Sequence, residues 1–132
     1  MSTPHLFPVR VYWEDTDAGG VVYHTSYLRF MERGRTEVLR ALGIGQQELL
    51  RETGLAFVVH RMEVDFLKSA VLDDLLSVET NVAIVHGASM RLDQTVLRGE
   101  SVLIRASVTV ACVKDGRPAR IPPDIKAKLS GG

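Results

Sequence analysis

From Pro8 to Trp13 the chain alternates, with Val9, Val11 and Trp13 on one face and Arg10 and Tyr12 on the other. That period of two predicts a first strand. Turn formers from Glu14 to Gly20 break it. From about Ser26 to Leu42 the spacing changes to three and four. Tyr27, Phe30, Met31, Val38, Leu39 and Leu42 form one broad apolar stripe, interrupted by Gly34, which predicts a long amphipathic helix. Thr25 or Ser26 is expected to cap its start and Gly43 to end it. Gln46 to Thr53 predicts a short second helix stopped by Gly54.

After Gly54 the alternation returns. Val58, His60, Met62, Val64 and Phe66 interleave with Val59, Arg61, Glu63 and Asp65. Asp73-Asp74 marks a turn, and Ser77–Val85 alternates again. His86-Gly87 predicts a hairpin into Ser89–Leu97, and Gly99-Glu100 a turn into Val102–Val113, closed by Asp115-Gly116. Pro122-Pro123 halts the sheet, and Asp124 is expected to cap a C-terminal helix ending near Leu129. One strand, one long helix and four consecutive antiparallel strands predict an α+β fold, a meandering sheet curled around the helix. No repeat or linker divides residues 1–132, so one domain is expected. Several strands carry apolar residues on both faces. A second apolar sheet face, and with it a homodimer or homotetramer, is therefore expected.

A chain of 132 residues with 45% hydrophobic and 24% charged residues can bury one core and is not a disordered composition. Sixteen Lys and Arg balance sixteen Asp and Glu, which removes the basic excess of a nucleic-acid coat. The balance is uneven along the chain. Residues 1–85 hold eight basic and twelve acidic side chains, and residues 86–132 hold eight basic and four acidic. The second half thus offers Arg91, Arg98, Arg105, Lys114, Arg117 and Arg120 to a phosphate-bearing ligand. One cysteine, Cys112, precludes an internal disulfide and sits among valines, as a buried thiol would. Met1–His5 lacks the pattern of a secretory signal, and no stretch reaches the roughly 18 apolar residues of a membrane span. A cytoplasmic location is expected.

The residues able to do chemistry concentrate between Tyr12 and Tyr27. Glu14, Asp15 and Asp17 precede Gly19, Gly20, His24 and the start of the long helix. Such an order places an acid or base beside helix-terminal N–H groups that can hold a developing oxyanion. It equally describes a solvated acidic turn in which Asp17 satisfies backbone N–H groups. The residues alone leave both readings open.

The run Tyr12-x-x-Asp15-Thr16-Asp17-Ala18-x-Gly20-x-Val22-Tyr23-His24-x-x-Tyr27, followed by Phe30-Met31-Glu32-x-x-Arg35, closely resembles the hotdog-fold acyl-CoA thioesterases. The nearer resemblance is to the YbgC type associated with the Tol–Pal system, within the 4-hydroxybenzoyl-CoA thioesterase family. It implies a hotdog fold, thioester hydrolysis of acyl-CoA or acyl carrier protein, no cofactor, and a site at a subunit interface. Carried over by position, it makes Asp17 the catalytic carboxylate, acting as nucleophile or general base, and His24 its catalytic neighbour. Tyr23 and Gly20 become substrate-binding positions where backbone N–H groups polarise the carbonyl, and Asp15 a holder of the loop. A histidine at position 24, where the 4-hydroxybenzoyl type has an aromatic residue, points to the YbgC side.

Other readings are weaker. Asp15-Thr16-Asp17 is also the form of a haloacid-dehalogenase nucleophile or a glycosyltransferase metal site, but those need a longer chain with a parallel sheet. A metal on Asp15, Asp17 and His24 is not expected, since His5, His60 and His86 lack ligand spacing. His60 reads as a satisfied sheet histidine, and Tyr27 and Phe30 as core. The alternative function is a non-catalytic hotdog protein, a binding or scaffold partner of acyl carrier protein or envelope machinery.

Overall fold

The computed structural model describes residues 4–131. Met1–Thr3, part of the stretch read for a secretory signal, and Gly132 lie outside them. The elements are β1 (His5–Arg10), α1 (His24–Ala41), α2 (Gln46–Thr53), β2 (Leu55–Phe66), β3 (Leu75–Val85), β4 (Ser89–Arg98), β5 (Ser101–Lys114), β6 (Arg117–Pro118) and α3 (Pro123–Gly131). The sheet is antiparallel in the order β1-β3-β4-β5-β2, with β6 against β5. It curls over α1, which packs against β1, β3 and β4. No described helix is long and apolar enough to cross a membrane.

The stripe on α1 does what its period predicts. Phe30 and Met31 are fully buried, and Tyr27, Val38 and Leu39 nearly so, against Leu76, Val78, Leu92 and Val108 of the sheet. Truncating a side chain such as Phe30 to alanine costs about 3–5 kcal/mol in cores of this kind. Gly34 belongs to this stripe and does not interrupt it. A Cβ there would sit 2.6 Å from Val78 Cγ1, so the helix approaches the sheet more closely than any other residue would allow. Beside it, buried Gln94 donates from Nε2 to Met31 O and to Thr80 Oγ1, both at 2.9 Å. Its Oε1 accepts from Arg35 Nη1 at 3.0 Å. The buried amide is thereby satisfied.

Several expectations need correction. The first strand ends at Arg10, so Trp13 does not share the face of Val9 and Val11. It stands 66% exposed on a 3-10 turn, Trp13–Asp15, which curls because the Asp15 carboxylate accepts the Tyr12 N–H. The long helix begins at His24, two residues before Ser26, with Tyr23 as N-cap and no side chain capping it. Ser26 Oγ donates to the Asp15 carbonyl. The last four long strands are not a plain meander. β3, β4 and β5 follow one another, but β2 lies on the far edge beside β5, while β1 takes the place beside β3. The Asp73-Asp74 turn therefore closes a crossover and not a hairpin. The sheet's outer face is also polar. Between the buried Met90, Leu92, Gln94 and Val96, β4 turns outward Arg91, Asp93 and Thr95, and β5 sets Arg105, Ser107 and Thr109 beside them. Exposed apolar side chains stand at the sheet's edges and ends instead, among them the adjacent pair Val58 and Val59 on β2, 44% and 47% exposed. His60 is exposed at the irregularity between Val59 and Arg61, so it is not a satisfied sheet histidine. The short strand β6 carried no pattern signal. Cys112 is buried as expected, and burial pushes its thiol up from the ordinary value.

Candidate active site

Between β1 and α1 the chain makes two nested turns that separate the roles of the two aspartates. Asp15 is 5% exposed. Its Oδ2 accepts the Tyr12 N–H at 2.9 Å, and its carbonyl accepts the Tyr23 N–H at 3.1 Å and the Ser26 hydroxyl at 2.9 Å. Arg29 Nη2 lies 3.9 Å from its Oδ1. Asp15 thus ties the end of β1 to the first turn of α1. Asp17 is half-buried on the loop itself. Its Oδ1 accepts the N–H groups of Gly19 at 2.9 Å and Val21 at 3.1 Å. Its Oδ2 has no hydrogen-bond partner among the described residues. Gly20, at φ +81°, allows the reversal that brings Val21 back onto Asp17. The Gly20 N–H donates to Asp17 O at 3.0 Å and the Asp17 N–H to Val21 O at 2.8 Å.

The helix start supplies donors. Ser26 N–H closes onto Tyr23 O, and Tyr23 N–H is spent on Asp15. The N–H groups of His24 and Thr25 meet no acceptor among the described residues. Donors were expected near Tyr23 and His24, and the unpaired pair is His24 and Thr25. An 18-residue helix with no acidic residue in its first turn leaves the positive end of its dipole uncompensated there. The His24 ring meets Phe66 edge-to-face, with centroids 4.8 Å apart and planes at 87°. Asp17, Tyr23, His24, Tyr27, Phe66 and Lys68 line one cleft of about 280 Å³. A cleft of this size admits a small polar group and a few neighbouring atoms, but not a large ligand entire.

The far wall of the cleft is the connection between β2 and β3. Ala70 N–H donates to the Tyr27 hydroxyl at 2.7 Å. Burial raises the Tyr27 phenol above its usual value, and the Ala70 N–H opposes that shift. Tyr27 is thus core, as expected, and part of the site wall as well. A larger cavity, about 390 Å³, contains none of the loop residues. It lies between α1 and the β2 edge, with Leu39, Phe57, Val59 and Met90 as apolar walls and Glu32 and Arg35 as polar ones. Burial lowers the Arg35 guanidinium from its ordinary value, and nearby Glu32 raises it.

A family model, the thioesterase-like superfamily, matches residues 11–129. The chain is 54% identical over 123 residues to an acyl-CoA thioesterase YbgC of Haemophilus influenzae, covering 92% of this chain and 90% of that one. This chain belongs to the YbgC acyl-CoA thioesterases of the thioesterase-like superfamily. The crystal structure of a probable thioesterase from Bartonella henselae is 42% identical, with a TM-score of 0.87, covering 91% of this chain and all 100% of that one. The 4-hydroxybenzoyl CoA thioesterase from Pseudomonas sp. strain CBS-3 superposes with a TM-score of 0.88 at 20% identity, over 96% of this chain and 99% of that one. That last likeness is one of fold alone, the hotdog fold.

For this YbgC-type chain the structure brings Asp17, Tyr23 and His24 to one cleft, with Gly20 in the turn that presents Asp17. It does not bring the basic residues of the second half there. Arg98 is ion-paired to Asp74 at 2.8 Å, and Arg91 lies 3.4 Å from Asp93. Lys114 packs its methylenes over Gly54 at the far end of β2. Phe66, Lys68 and Thr25 were missed. Phe66 was legible as the last apolar residue of its strand's alternation, but nothing in the sequence links that strand end to position 24.

Proposed function

We propose that this protein hydrolyses acyl-CoA thioesters, with Asp17 as nucleophile or general base and the N–H groups at the start of α1 as donors to the thioester carbonyl. The observation that carries the reading is the split environment of Asp17. One carboxylate oxygen is anchored by two backbone N–H groups and the other is free, on a cleft shared with the unpaired N–H of His24. An attack on the carbonyl moves negative charge onto its oxygen, and one well-placed donor is worth roughly 2.7–4 kcal/mol in that transition state. The free oxygen of Asp17 either adds to the carbonyl carbon or takes a proton from the attacking water. The His24 ring, steadied by Phe66, contacts the thioester side and assists departure of the thiolate. Tyr23, 53% exposed at the rim, packs on the pantetheine arm, and Gly20 keeps the approach to Asp17 open. The same arm on acyl carrier protein makes it a second donor. Both substrates belong to the cytoplasm, the compartment suited to the lone thiol.

The test is Asp17→Asn, which removes the attacking or proton-accepting oxygen and nearly keeps the shape. Thiol release from a panel of short, long and aromatic acyl-CoAs should fall by about 10²–10⁴-fold with the melting temperature little changed. A fully active variant overturns the assignment. A parent protein inactive on every CoA and carrier-protein thioester would favour the scaffold reading, and activity lost to chelator and restored by a divalent ion would favour a metal.

We also propose that the functional unit is a homodimer or a homotetramer built from such dimers. β2 is an open edge along twelve residues, with exposed Val58 and Val59, and such edges invite pairing. A two-fold pairing of β2 with itself is antiparallel. It sets the Phe66 end of one protomer beside the Phe57–Val59 end of its partner, whose apolar cavity then extends the acyl site. Light scattering should give a multiple of the chain mass, and Val59→Arg should lower both that mass and turnover. A fully active monomer would sink this picture.

A further inference from the structure

The connection from Ser69 to Asp74 is bonded to the Asp17 loop as a short ladder. Val22 N–H donates to Ala70 O at 3.0 Å, Leu72 N–H donates to Gly20 O at 2.9 Å, and Val21 and Val71 form a bridge between them. The same Val21 exchanges bonds with Asp17 on its other side, donating to Oδ1 and accepting from the Asp17 N–H. One guanidinium spans this strap. Arg98 Nη1, from the end of β4, donates to Asp74 Oδ2 at 2.8 Å and to Ser69 O at 3.3 Å, gripping both ends of the strap. The accepting oxygen of Asp74 also takes the Val71 N–H at 2.9 Å. Tyr27 holds the middle through Ala70.

We infer that Arg98 is a positioning residue for the reaction, fixing Asp17 through the Ser69–Asp74 strap, and not a ligand of the substrate's phosphates. The inference rests on the reading of Asp17 as catalytic carboxylate. Asp74 neutralises the guanidinium and occupies its best donor, which leaves little field for a phosphate. Without Arg98 the strap is held by Tyr27, by Arg10 Nη1 on the Asp73 carbonyl at 2.8 Å and by the backbone bonds of Asp73 and Asp74 to Val11. At the Ser69 end the Ala70 N–H, in the same peptide unit as the Ser69 carbonyl, keeps its bond to Tyr27, and the tie lost there is the one to the Ser69 carbonyl itself. The sheet and helix cores do not depend on the Ser69 tie, so its loss loosens the loop without unfolding the chain. Displacement of a reacting group by about 1 Å costs on the order of 10²-fold in rate.

The test compares Arg98→Gln and Arg98→Lys on an acyl-CoA and on the corresponding acyl-pantetheine, which lacks every phosphate, well below the melting temperature. Arg98→Gln should lose about 10- to 100-fold in kcat by the same factor on both substrates, with KM within about twofold. Hydrogen exchange at Val21 and Val22 should quicken while α1 stays protected. Arg98→Lys should recover most of the rate. A loss seen only with acyl-CoA, and as KM, would make Arg98 a phosphate ligand and overturn the inference, as would unchanged kcat on both substrates. Should Arg98→Gln fail to fold, Tyr27→Phe frees Ala70 and should give the same pattern, and unchanged kcat there is equally fatal. Full activity in Asp17→Asn would sink the catalytic reading and this inference together. An inactive Asp17→Asn beside an unimpaired Arg98→Gln would sink this inference alone.

Discussion

Replacing Gly34 with alanine sets two well-calibrated effects against each other. In the middle of an exposed helix alanine is favoured over glycine by about 1 kcal/mol. Here the added Cβ would stand 2.6 Å from Val78 Cγ1, 3.2 Å from Thr80 Oγ1 and 3.3 Å from Gln94 Nε2. Val78 is fully buried within β3 and has nowhere to retreat. Forcing an extra methyl into such a core costs about 1–3 kcal/mol. Gln94 must also give by a few tenths of an ångström, which strains the two bonds its Nε2 holds. A buried amide left partly unsatisfied adds about 1–3 kcal/mol. The contacts outweigh the propensity gain, for a net loss of about 1–5 kcal/mol. Urea unfolding followed by circular dichroism should show a lower midpoint at unchanged slope. An alanine variant as stable as the parent would mean that helix and sheet are not packed this tightly, and would refute the reasoning.

Asp15→Asn should lose stability before it loses chemistry. It exchanges a charge-assisted acceptor for a neutral one at Tyr12, about 1 kcal/mol, and weakens the half-exposed Arg29 pair by at most about 1 kcal/mol more. A lowered melting temperature with turnover surviving at low temperature is the expected result, and a dead enzyme with an unchanged melt would move the catalytic role to Asp15. Asp74 is held below the usual carboxylate range, first by the Val71 N–H and then by Arg98. A depressed carboxylate stabilises the fold above its unfolded value, near 3.9, and that contribution fades as pH falls through the lower folded value. Stability of the parent should therefore drop more steeply below about pH 4 than that of Asp74→Asn, and parallel curves would contradict the ion pair.

The elements were legible because each carried its own period. The α1 stripe, the Gly54 stop and three of the turns between strands needed no tertiary information. Neighbour relations were not legible, since alternation says which face a residue takes and not which strand lies beside it. That is why β2, adjacent to β3 in sequence, could stand at the opposite edge. Trp13 failed for a local reason, because the Asp15 carboxylate curls the chain one residue after Val11 and ends the alternation. Val58 and Val59 failed for a tertiary one. On an edge strand at a bulge both faces stand open, so two adjacent apolar residues are exposed together.

A charge count along the chain leaves open what each cation meets. The excess of basic residues after position 86 suggested a phosphate surface, yet a count along the chain ignores what each cation faces once folded. Arg98 faces Asp74, Arg91 faces Asp93, and Arg105 stands across from Asp65 in the sheet register. Through Arg98–Asp74 and Arg105–Asp65 the acidic excess of the first half and the basic excess of the second are partly spent on one another, across strands that the topology brings together. What the loop sequence could state on its own was a candidate, a carboxylate at Asp17 two glycines and a histidine ahead of a helix start. The strap that steadies it comes from some fifty residues later and is built mainly of backbone bonds, which leave no mark on side-chain identity. A site of this kind is therefore half visible in sequence. The candidate reacting groups stand out in the sequence, and the residues that hold them still must be read from the fold.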